Sequence, residues 1–221
     1  NVRTDQWGGT LENRARFVLE IYREIRRQVG ADYPVGIKIN SADFQRGGFT
    51  EEESMKVIQL LGNEGMDLIE ISGGTYERPA MIKGNRKKST EEREVYFLEY
   101  IEKARKLTKT PLLLTGGFRS VSVMEGALAS GKLDVVGLAR PFCLYPALAN
   151  QIFEGSVEKF EAPIPRIGIK FLDKLGGVEL PWYELQIQRI GKGKQPKKSL
   201  PGILAFWFSL KSLFVKSFWK N

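Results

Sequence analysis

The apolar positions of this chain follow two patterns that alternate over residues 1–140. Runs of four or five consecutive apolar residues are typical of strands buried in a parallel sheet, and apolar residues three or four positions apart are typical of helices. The predicted strands are Pro34–Asn40, Leu68–Ser72, Pro111–Thr115 and Val135–Ala139. Because strands and helices alternate strictly, with roughly 30 residues per unit, we predict an α/β fold with four parallel strands.

Each predicted helix has a recognisable start. The starts are Thr10, Thr50, Thr90 and Ser120. Thr50 and Glu53 form a capping box, in which each side chain accepts a hydrogen bond from the backbone amide of the other residue. The first helix carries a single apolar stripe from Leu11 to Val29 and is expected to end at Gly30, because glycine favours the residue after a helix.

The regular alternation stops after Arg140. The segments predicted beyond it are a short helix over Tyr145–Phe153, a mixed proline and glycine stretch over Gly155–Gly177, a helix over Trp182–Ile190, a basic linker over Gly191–Ser199 and a last aromatic helix. This part of the chain is therefore predicted to be an extension of the alternating unit.

Composition narrows the chemistry that the chain can perform. Its 221 residues suffice for one folded domain, and a hydrophobic fraction of 42% is typical of globular proteins. The absence of histidine excludes Ser-His-Asp and Cys-His catalysis within the chain. The single cysteine, Cys143, excludes an internal disulfide and a cysteine metal cage, which favours a reducing compartment, so we expect a cytoplasmic protein. The Cys143 thiol itself is expected to be buried and inert.

The positive charge is concentrated at one end of the chain. The net charge is +8, and residues 185–221 contain eight lysines and arginines and no acidic residue. Subtracting these eight from the 34 basic residues leaves 26, which equals the 26 acidic residues, so the remainder of the chain is neutral. The basic balance is therefore no argument for nucleic-acid binding by the body of the protein, and none is expected.

Glycines and a cation follow the last two predicted strands. Gly116 and Gly117 end one strand, and their lack of side chains lets a ligand approach the backbone amides. Ser120 would place the positive end of the next helix nearby, and Arg140 follows the next strand. Because consecutive parallel strands end at one edge, these groups predict a phosphate site. The alternative is a tight turn at the glycines and a surface charge at Arg140.

The opening residues carry a family resemblance. The sequence NVRTDQWGGTLENRARF resembles the signature N-x-R-T-D-x-Y-G-G-S-x-E-N-R-x-R-F of the old yellow enzyme family of FMN-dependent ene reductases. The later stretches LLLTGGFR and VVGLARPF resemble strand ends of the same family, so the resemblance extends from Asn1 to about Phe142. Trp7 stands where tyrosine is usual and Thr10 where serine is usual, and both changes preserve shape or capping.

The resemblance implies the C-terminal half of a (β/α)8 TIM barrel, with the four predicted strands as its fifth to eighth. It also implies that the N-terminal half of the barrel, with its His-x-x-His or His-x-x-Asn motif and tyrosine proton donor, lies outside this chain, so we interpret the chain as a fragment or an incomplete product. The predicted domains are 1–155, the second half of an FMN-binding barrel; 156–199, an irregular and helical extension; and 200–221, a basic aromatic helix.

The resemblance assigns cofactor-binding roles to six residues and no catalytic or metal-binding role to any. The six are Lys38, Gly116, Gly117, Phe118, Ala139 and Arg140. The backbone at residues 116–118 and at Ala139 would line the FMN phosphate, with Arg140 as the charged partner. Lys38 stands where the family commonly has an arginine beside the flavin N1 and O2 edge, so it keeps the charge and loses the bidentate fork. From its residue type alone, Lys38 could instead be a satisfied structural charge. Glu70 could pair with it across the barrel interior, and such a structural ion pair is expected rather than a catalytic acid at Glu70.

The activity that the resemblance implies is NAD(P)H-dependent reduction of activated alkenes by hydride transfer, with FMN as the cofactor. The alternative is a non-catalytic or incomplete half barrel that at most binds a phosphate or flavin. A small-molecule substrate and the N-terminal half of the barrel are the expected partners, and homo-oligomerisation is left open. Without that half, the chain alone is expected to be inactive.

The last helix leaves three interpretations open. Ile203–Trp219 is rich in aromatic and aliphatic residues, and its lysines fall beside the apolar side of the predicted helix. Such a helix could cover the barrel, contact another subunit or lie on an anionic membrane surface. Packing on protein is the favoured interpretation, because terminal helices commonly cover cores.

Overall fold

The computed structural model describes residues 1–72, 98–169, 171, 173 and 178–218, with the side chains of the last helix described as far as Lys211. The elements in chain order are α1 (Leu11–Val29), β1 (Gly36–Asn40), α2 (Glu51–Asn63), β2 (Leu68–Ser72), α3 (helical residues 98–105), β3 (Leu112–Thr115), α4 (Val121–Ala129), β4 (Val135–Gly137), a 3-10 helix (Arg140–Cys143), α5 (Leu148–Phe153), α6 (Glu179–Gly191) and α7 (Gly202–Phe218). The sequence also predicts a long polar loop over Thr75–Lys88, and both this loop and the predicted helix start at Thr90 lie outside the described residues.

The four strands form one parallel sheet in the order β1-β2-β3-β4. Lys38 of β1 lies opposite Glu70 of β2, and Thr115 of β3 lies opposite Gly137 of β4. Sequential order with parallel pairing and intervening helices is the arrangement of neighbouring strands in a β/α barrel. The predicted fold, four parallel strands of a partial (β/α)8 barrel, is confirmed.

The two faces of this sheet differ in their exposure. One face is buried and apolar, and includes Ile69, Ile71, Leu112 and Leu114. The other face is partly or fully exposed, and includes Lys38, Glu70, Leu113, Thr115 and Val135. Because side chains alternate along a strand, the polar residues of this second face share one surface. That surface carries the candidate site.

The predicted start and end signals of the first two helices are confirmed. The Thr10 side chain accepts the Asn13 amide at 3.3 Å, and Gly30 follows α1 with a φ of +82°. The predicted capping box at Thr50 and Glu53 is present at the start of α2. Local capping chemistry therefore sets these helix limits as the sequence predicts.

A carboxylate ties the amino ends of β1 and β2 together. Asp67, directly before β2, accepts the Val35 amide at 2.7 Å and forms an ion pair with Arg26 of α1. The Asp67 amide in turn donates to the Val35 carbonyl at 3.1 Å. The hydrogen bond from Val35, followed by the one from Arg26, holds the pKa of Asp67 below its usual value. We call this arrangement of helix arginine, aspartate and strand amide an Asp clamp.

The same clamp occurs between β3 and β4. Asp134, directly before β4, accepts the Leu112 amide at 2.8 Å and pairs with Arg105 of α3. Its own amide donates to the Leu112 carbonyl at 2.9 Å. The described part of the barrel therefore consists of two equivalent strand pairs, each closed at its amino end by one aspartate.

Removing the second Asp clamp tests its contribution. We expect Asp134→Ala to lower the free energy of unfolding by about 1–2 kcal/mol, because the Leu112 amide loses its side-chain acceptor and the Arg105 guanidinium loses its carboxylate partner. Asp32→Ala is the matched control, since Asp32 is exposed in the loop before β1. Urea denaturation of both variants measures the difference, and equal midpoints would show that the clamp contributes nothing to stability.

The chain forms two compact units. The first contains Asn1–Phe118 and Ser122–Gly137, and therefore the whole sheet. The second contains Arg119–Val121 and Leu138–Asn221. The predicted domain limits at residues 155 and 199 stay a prediction.

The second unit has a small core of its own. Its buried members are Leu144, Val178, Trp182, Tyr183 and Ala205. Trp182 also donates its indole N–H to the Leu200 carbonyl at 2.8 Å, and the buried Gln186 donates to the Lys197 carbonyl at 2.9 Å and accepts the Lys197 amide at 2.8 Å. The predicted linker between α6 and α7 is thus held along α6 by side chains, and we call this arrangement the linker clamp.

Helix limits in the second unit differ from the predicted ones. The predicted helix Tyr145–Phe153 is shortened to α5, and the predicted helix Trp182–Ile190 is lengthened to α6. Pro181 explains the second difference. It lies in the first turn of α6, where a residue without an N–H costs no intrahelical hydrogen bond, so it does not mark the boundary that a proline further inside a helix would.

Strand limits differ less. The strands predicted over Pro34–Asn40, Pro111–Thr115 and Val135–Ala139 lose one or two residues at their ends and become β1, β3 and β4. The change at β4 matters most for the site, because the chain leaves the sheet after Gly137 and Arg140 begins a 3-10 helix.

Candidate functional site

Strand β3 ends in two glycines with left-handed backbone conformations. Their φ angles are +109° at Gly116 and +85° at Gly117, values that residues with a side chain rarely adopt. The Gly116 amide donates to the Gly137 carbonyl at 3.3 Å. Within the described part of the chain, the Gly117 amide donates to no protein acceptor. The turn is anchored by the buried side chain of Phe118 and presents a backbone donor at the carboxyl edge of the sheet.

Three polar side chains form a hydrogen-bonded row on the exposed face of the sheet. Lys38 Nζ lies 2.5 Å from Glu70 Oε1, and Thr115 Oγ1 donates to the same oxygen at 2.7 Å. The expected ion pair between Lys38 and Glu70 is confirmed, with its members side by side on neighbouring strands rather than across a barrel interior. The Lys38 side chain is still 53% exposed, so its remaining N–H donors face outward.

Glu70 is held as a carboxylate by this row. Burial raises the pKa of Glu70, but the hydrogen bonds from Lys38 and Thr115 outweigh burial and leave the pKa below its ordinary value. An ionised carboxylate only accepts hydrogen bonds, so Glu70 positions Lys38 and is no proton donor at neutral pH. This agrees with the structural role expected for Glu70.

Gly137 makes room for the row. A Cβ built on Gly137 would overlap Thr115 Oγ1 and crowd Leu113. Thr115 can therefore reach Glu70 only because β4 has glycine at the opposing position. The row thus depends on one residue from each of the four strands.

Ala139 and Arg140 lie in the second unit, where Ala139 directly precedes the 3-10 helix and Arg140 begins it. The Arg140 guanidinium forms an ion pair with Glu179, the first residue of α6, whose side chain is only 10% exposed. A guanidinium has five N–H donors, so this ion pair leaves donors for an anion. No sequence pattern indicates Glu179, because it lies 39 positions from Arg140 and follows a stretch without periodicity.

The start of α4 has one donor fewer for the predicted phosphate site than the sequence indicates. The sequence predicts that the amino end of α4, with Ser120 as its cap, faces the anion. Instead the first amide of α4, at Val121, donates to the Glu158 carbonyl at 2.9 Å, and Ser120 forms an antiparallel bridge with Lys159. The Val121 amide therefore already has a peptide carbonyl as its acceptor, because the unsatisfied N–H donors at the start of a helix bind the nearest acceptor.

Two further polar side chains of the second unit are structural. The Tyr183 hydroxyl donates to the Pro163 carbonyl at 2.8 Å, and burial raises the pKa of Tyr183 to about 12, so the hydroxyl keeps its proton. Cys143 is only partly buried, whereas a buried thiol was expected, but this partial burial raises the pKa of the thiol, which agrees with the expectation of an inert cysteine. Among the residues that the structure describes, no group of three acidic, histidine or cysteine side chains could hold a metal ion.

The six predicted cofactor residues divide between the two units. Lys38 and the turn Gly116–Phe118 belong to one sheet, and Ala139 and Arg140 belong to the second unit. Their donor chemistry fits FMN. A free backbone amide in a glycine turn and a guanidinium suit a phosphate, and an exposed ammonium suits the electron-rich edge of a flavin. Their roles toward FMN stay predictions.

Relatives of known sequence extend well beyond this chain. The NADH:flavin oxidoreductase / NADH oxidase family matches residues 1–158. The NADH-dependent flavin oxidoreductase nadA of Aspergillus parasiticus is 36% identical over 204 residues, which cover 89% of this chain and 43% of that protein. The chain thus spans less than half the length of this relative.

The similar solved structures are also longer than this chain, which matches only part of each of them. A 2-naphthoyl-CoA reductase in complex with 2-naphthoyl-CoA is 33% identical, with a TM-score of 0.61, over 70% of this chain and 23% of that chain. The old yellow enzyme homologue of Zymomonas mobilis, 21% identical with a TM-score of 0.52 over 72% of this chain and 42% of that one, shares the fold. The resemblance to the old yellow enzyme family and the predicted cofactors, FMN and NAD(P)H, are confirmed at the level of the family. Since the family match takes in the opening signature and all four strands, the chain belongs to the NADH:flavin oxidoreductase / NADH oxidase family.

Proposed function

We propose that this chain supplies the FMN-binding half of an NAD(P)H-dependent flavin oxidoreductase that reduces activated alkenes. The observation that carries the proposal is the glycine turn after β3, where the Gly117 amide has no acceptor among the described residues, in a chain that belongs to a family of flavin enzymes. The relative named as a 2-naphthoyl-CoA reductase supports the choice of substrate, because 2-naphthoyl-CoA is an aromatic acyl thioester whose ring double bonds are conjugated to a carbonyl group.

The residues of the chain have separate roles in this proposal. The backbone at Gly116–Phe118 and the Arg140 guanidinium bind the phosphate of FMN, which fixes one end of the cofactor. Lys38 places a positive charge at the flavin ring, and Glu70 holds Lys38 by the 2.5 Å ion pair. FMN, when bound, accepts hydride from NAD(P)H and delivers it to the alkene.

The function is tested first by the absorbance of the purified full-length protein and by its oxidation of NADH. We expect bound FMN, and NADH oxidation that depends on an α,β-unsaturated ketone such as 2-cyclohexenone. Bound FMN without such oxidation would favour the alternative, a half barrel that binds flavin without catalysis. A protein that does not bind FMN would contradict the proposal.

A glycine substitution locates the site. Gly117→Ala is expected to weaken FMN binding at least tenfold, because a Cβ at a φ of +85° forces the turn to change and moves the amide away from the phosphate. Gly131→Ala is the matched control, since Gly131 has a similar φ of +68° and open space around it, away from the proposed site. Equal FMN dissociation constants for both variants, measured by flavin fluorescence quenching, would contradict the assignment of the glycine turn.

A further inference from the structure

Over its described side chains, as far as Lys211, helix α7 packs on one side and is exposed on the other. Gly202 and Ala205 are buried, and a Cβ on Gly202 would overlap the Arg166 carbonyl, so this side lies in close contact with the second unit. The other side exposes Leu204 at 48% and Trp207 at 61%. A large indole left in solvent beside an exposed leucine is unusual for a helix whose role is only to cover a core.

The exposed side of α7 also carries a lysine. Leu204, Trp207 and Lys211 are all exposed and lie three and four positions apart, so they form one stripe along the helix. The stripe therefore combines aliphatic, indole and ammonium groups, the combination that interfacial helices present to a lipid surface.

The linker before α7 adds further cations in fixed positions. Lys192, Lys194 and Lys197 are exposed. The linker clamp grips the backbone of this segment, since the fully buried Gln186 bonds both the amide and the carbonyl of Lys197. The Lys197 backbone is thus held while the lysine side chains extend into solvent, so little backbone conformational entropy is lost when this segment contacts an anionic surface.

The positive charge of the C-terminal segment indicates which kind of partner this surface binds. The last 37 residues contain eight basic residues and no acidic one, whereas the rest of the chain has 26 of each sign. A second copy of the chain therefore offers no net negative charge to this surface, and an anionic lipid headgroup layer does. Among the described residues, no helix is both long and apolar enough to cross a membrane.

We propose that the exposed stripe of α7 and the linker lysines bind the surface of an anionic lipid bilayer, with α7 lying along the headgroups. Trp207 and Leu204 enter the boundary between headgroups and acyl chains, and the lysines remain at the phosphates. This contact would bring a flavin reductase to substrates that partition into membranes. The contact itself does not depend on bound FMN.

The test is co-sedimentation of the full-length protein with phosphatidylcholine vesicles, with and without phosphatidylserine, at low and at high salt. We expect binding to the anionic vesicles at low salt, loss of binding at high salt and no binding to neutral vesicles. Lys192→Ser/Lys194→Ser is expected to weaken binding about 25-fold, since each lysine near the surface contributes about fivefold. Trp207→Ser is expected to weaken it at least tenfold.

The control variant removes the same charge elsewhere. Lys106 and Lys109 are exposed in the first unit, and Lys106→Ser/Lys109→Ser is expected to change binding no more than about twofold. An equal loss in both double variants would overturn the proposed surface, and equal binding to neutral vesicles would overturn its charge selectivity. If the unaltered protein stays in the supernatant with anionic vesicles at low salt, the proposal is wrong and the stripe is a contact for protein. Unchanged thermal transitions of the variants confirm that each is folded.

Discussion

Replacing Gln186 with leucine is expected to lower the free energy of unfolding by about 2–3 kcal/mol. The Gln186 side chain is 0% exposed and forms two hydrogen bonds with the backbone of Lys197. Leucine fills a similar volume and forms neither bond, so the Lys197 amide loses its acceptor and the Lys197 carbonyl keeps only the hydrogen bond from the Leu200 amide. Chemical denaturation followed by tryptophan fluorescence measures the change, because Trp182 also contacts the linker.

The matched control for this variant lies two residues further along the same helix. Gln188 is exposed, so Gln188→Leu makes the same chemical change without breaking the linker clamp, and its effect is expected to stay within about 0.5 kcal/mol. Similar losses of stability in the two variants would show that the linker clamp is not what stabilises the second unit.

Replacing Arg140 with alanine is expected to weaken FMN binding by about 1.5–3 kcal/mol, or roughly 10-fold to 150-fold, the loss of a charge-assisted hydrogen bond to phosphate. The same change also leaves Glu179 buried without its cation, since that carboxylate is 10% exposed and pairs with Arg140. Stability and FMN affinity therefore both fall in this variant, and they must be measured separately.

Glu179→Gln separates the two effects. This variant breaks the ion pair and keeps the Arg140 guanidinium, so we expect FMN affinity to be retained or to increase while stability changes. Fluorescence titration of FMN with the two folded variants gives the comparison. Equal affinities in Arg140→Ala and the unaltered protein would remove Arg140 from the phosphate site, and its role would then be the ion pair with Glu179.

The sequence predicts the barrel strands well because their signals are local. Apolar runs, the capping box at Thr50 and the stop at Gly30 each depend on neighbouring residues only. The Asp clamps could not be predicted in this way, because each one joins a helix arginine, an aspartate and a strand amide that are far apart in the chain. The one sign of a clamp that can be seen in the sequence is an aspartate directly before a strand.

The candidate site could be predicted only in part, because some of its contacts also join residues that are far apart in the chain. Alternation along the strands places Lys38 and Glu70 on equivalent positions, and their ion pair follows from that pattern. The hydrogen bond from Thr115 could also have been predicted, because Thr115 shares a face with Leu113, the register partner of Glu70. The ion pair of Arg140 with Glu179 had no such signal, because no repeating pattern connects the 3-10 helix to α6.

The Asp clamps have a consequence for how the strands find their alignment during folding. In a sheet, slippage of one strand by a single residue sends every side chain to the opposite face. Asp67 prevents such slippage between β1 and β2, because its carboxylate and its own amide both bond Val35, and neither bond survives a shift. The Asp67 clamp, although remote from the glycine turn, thus fixes the register of β1 and β2. This register is the one that places Lys38 opposite Glu70.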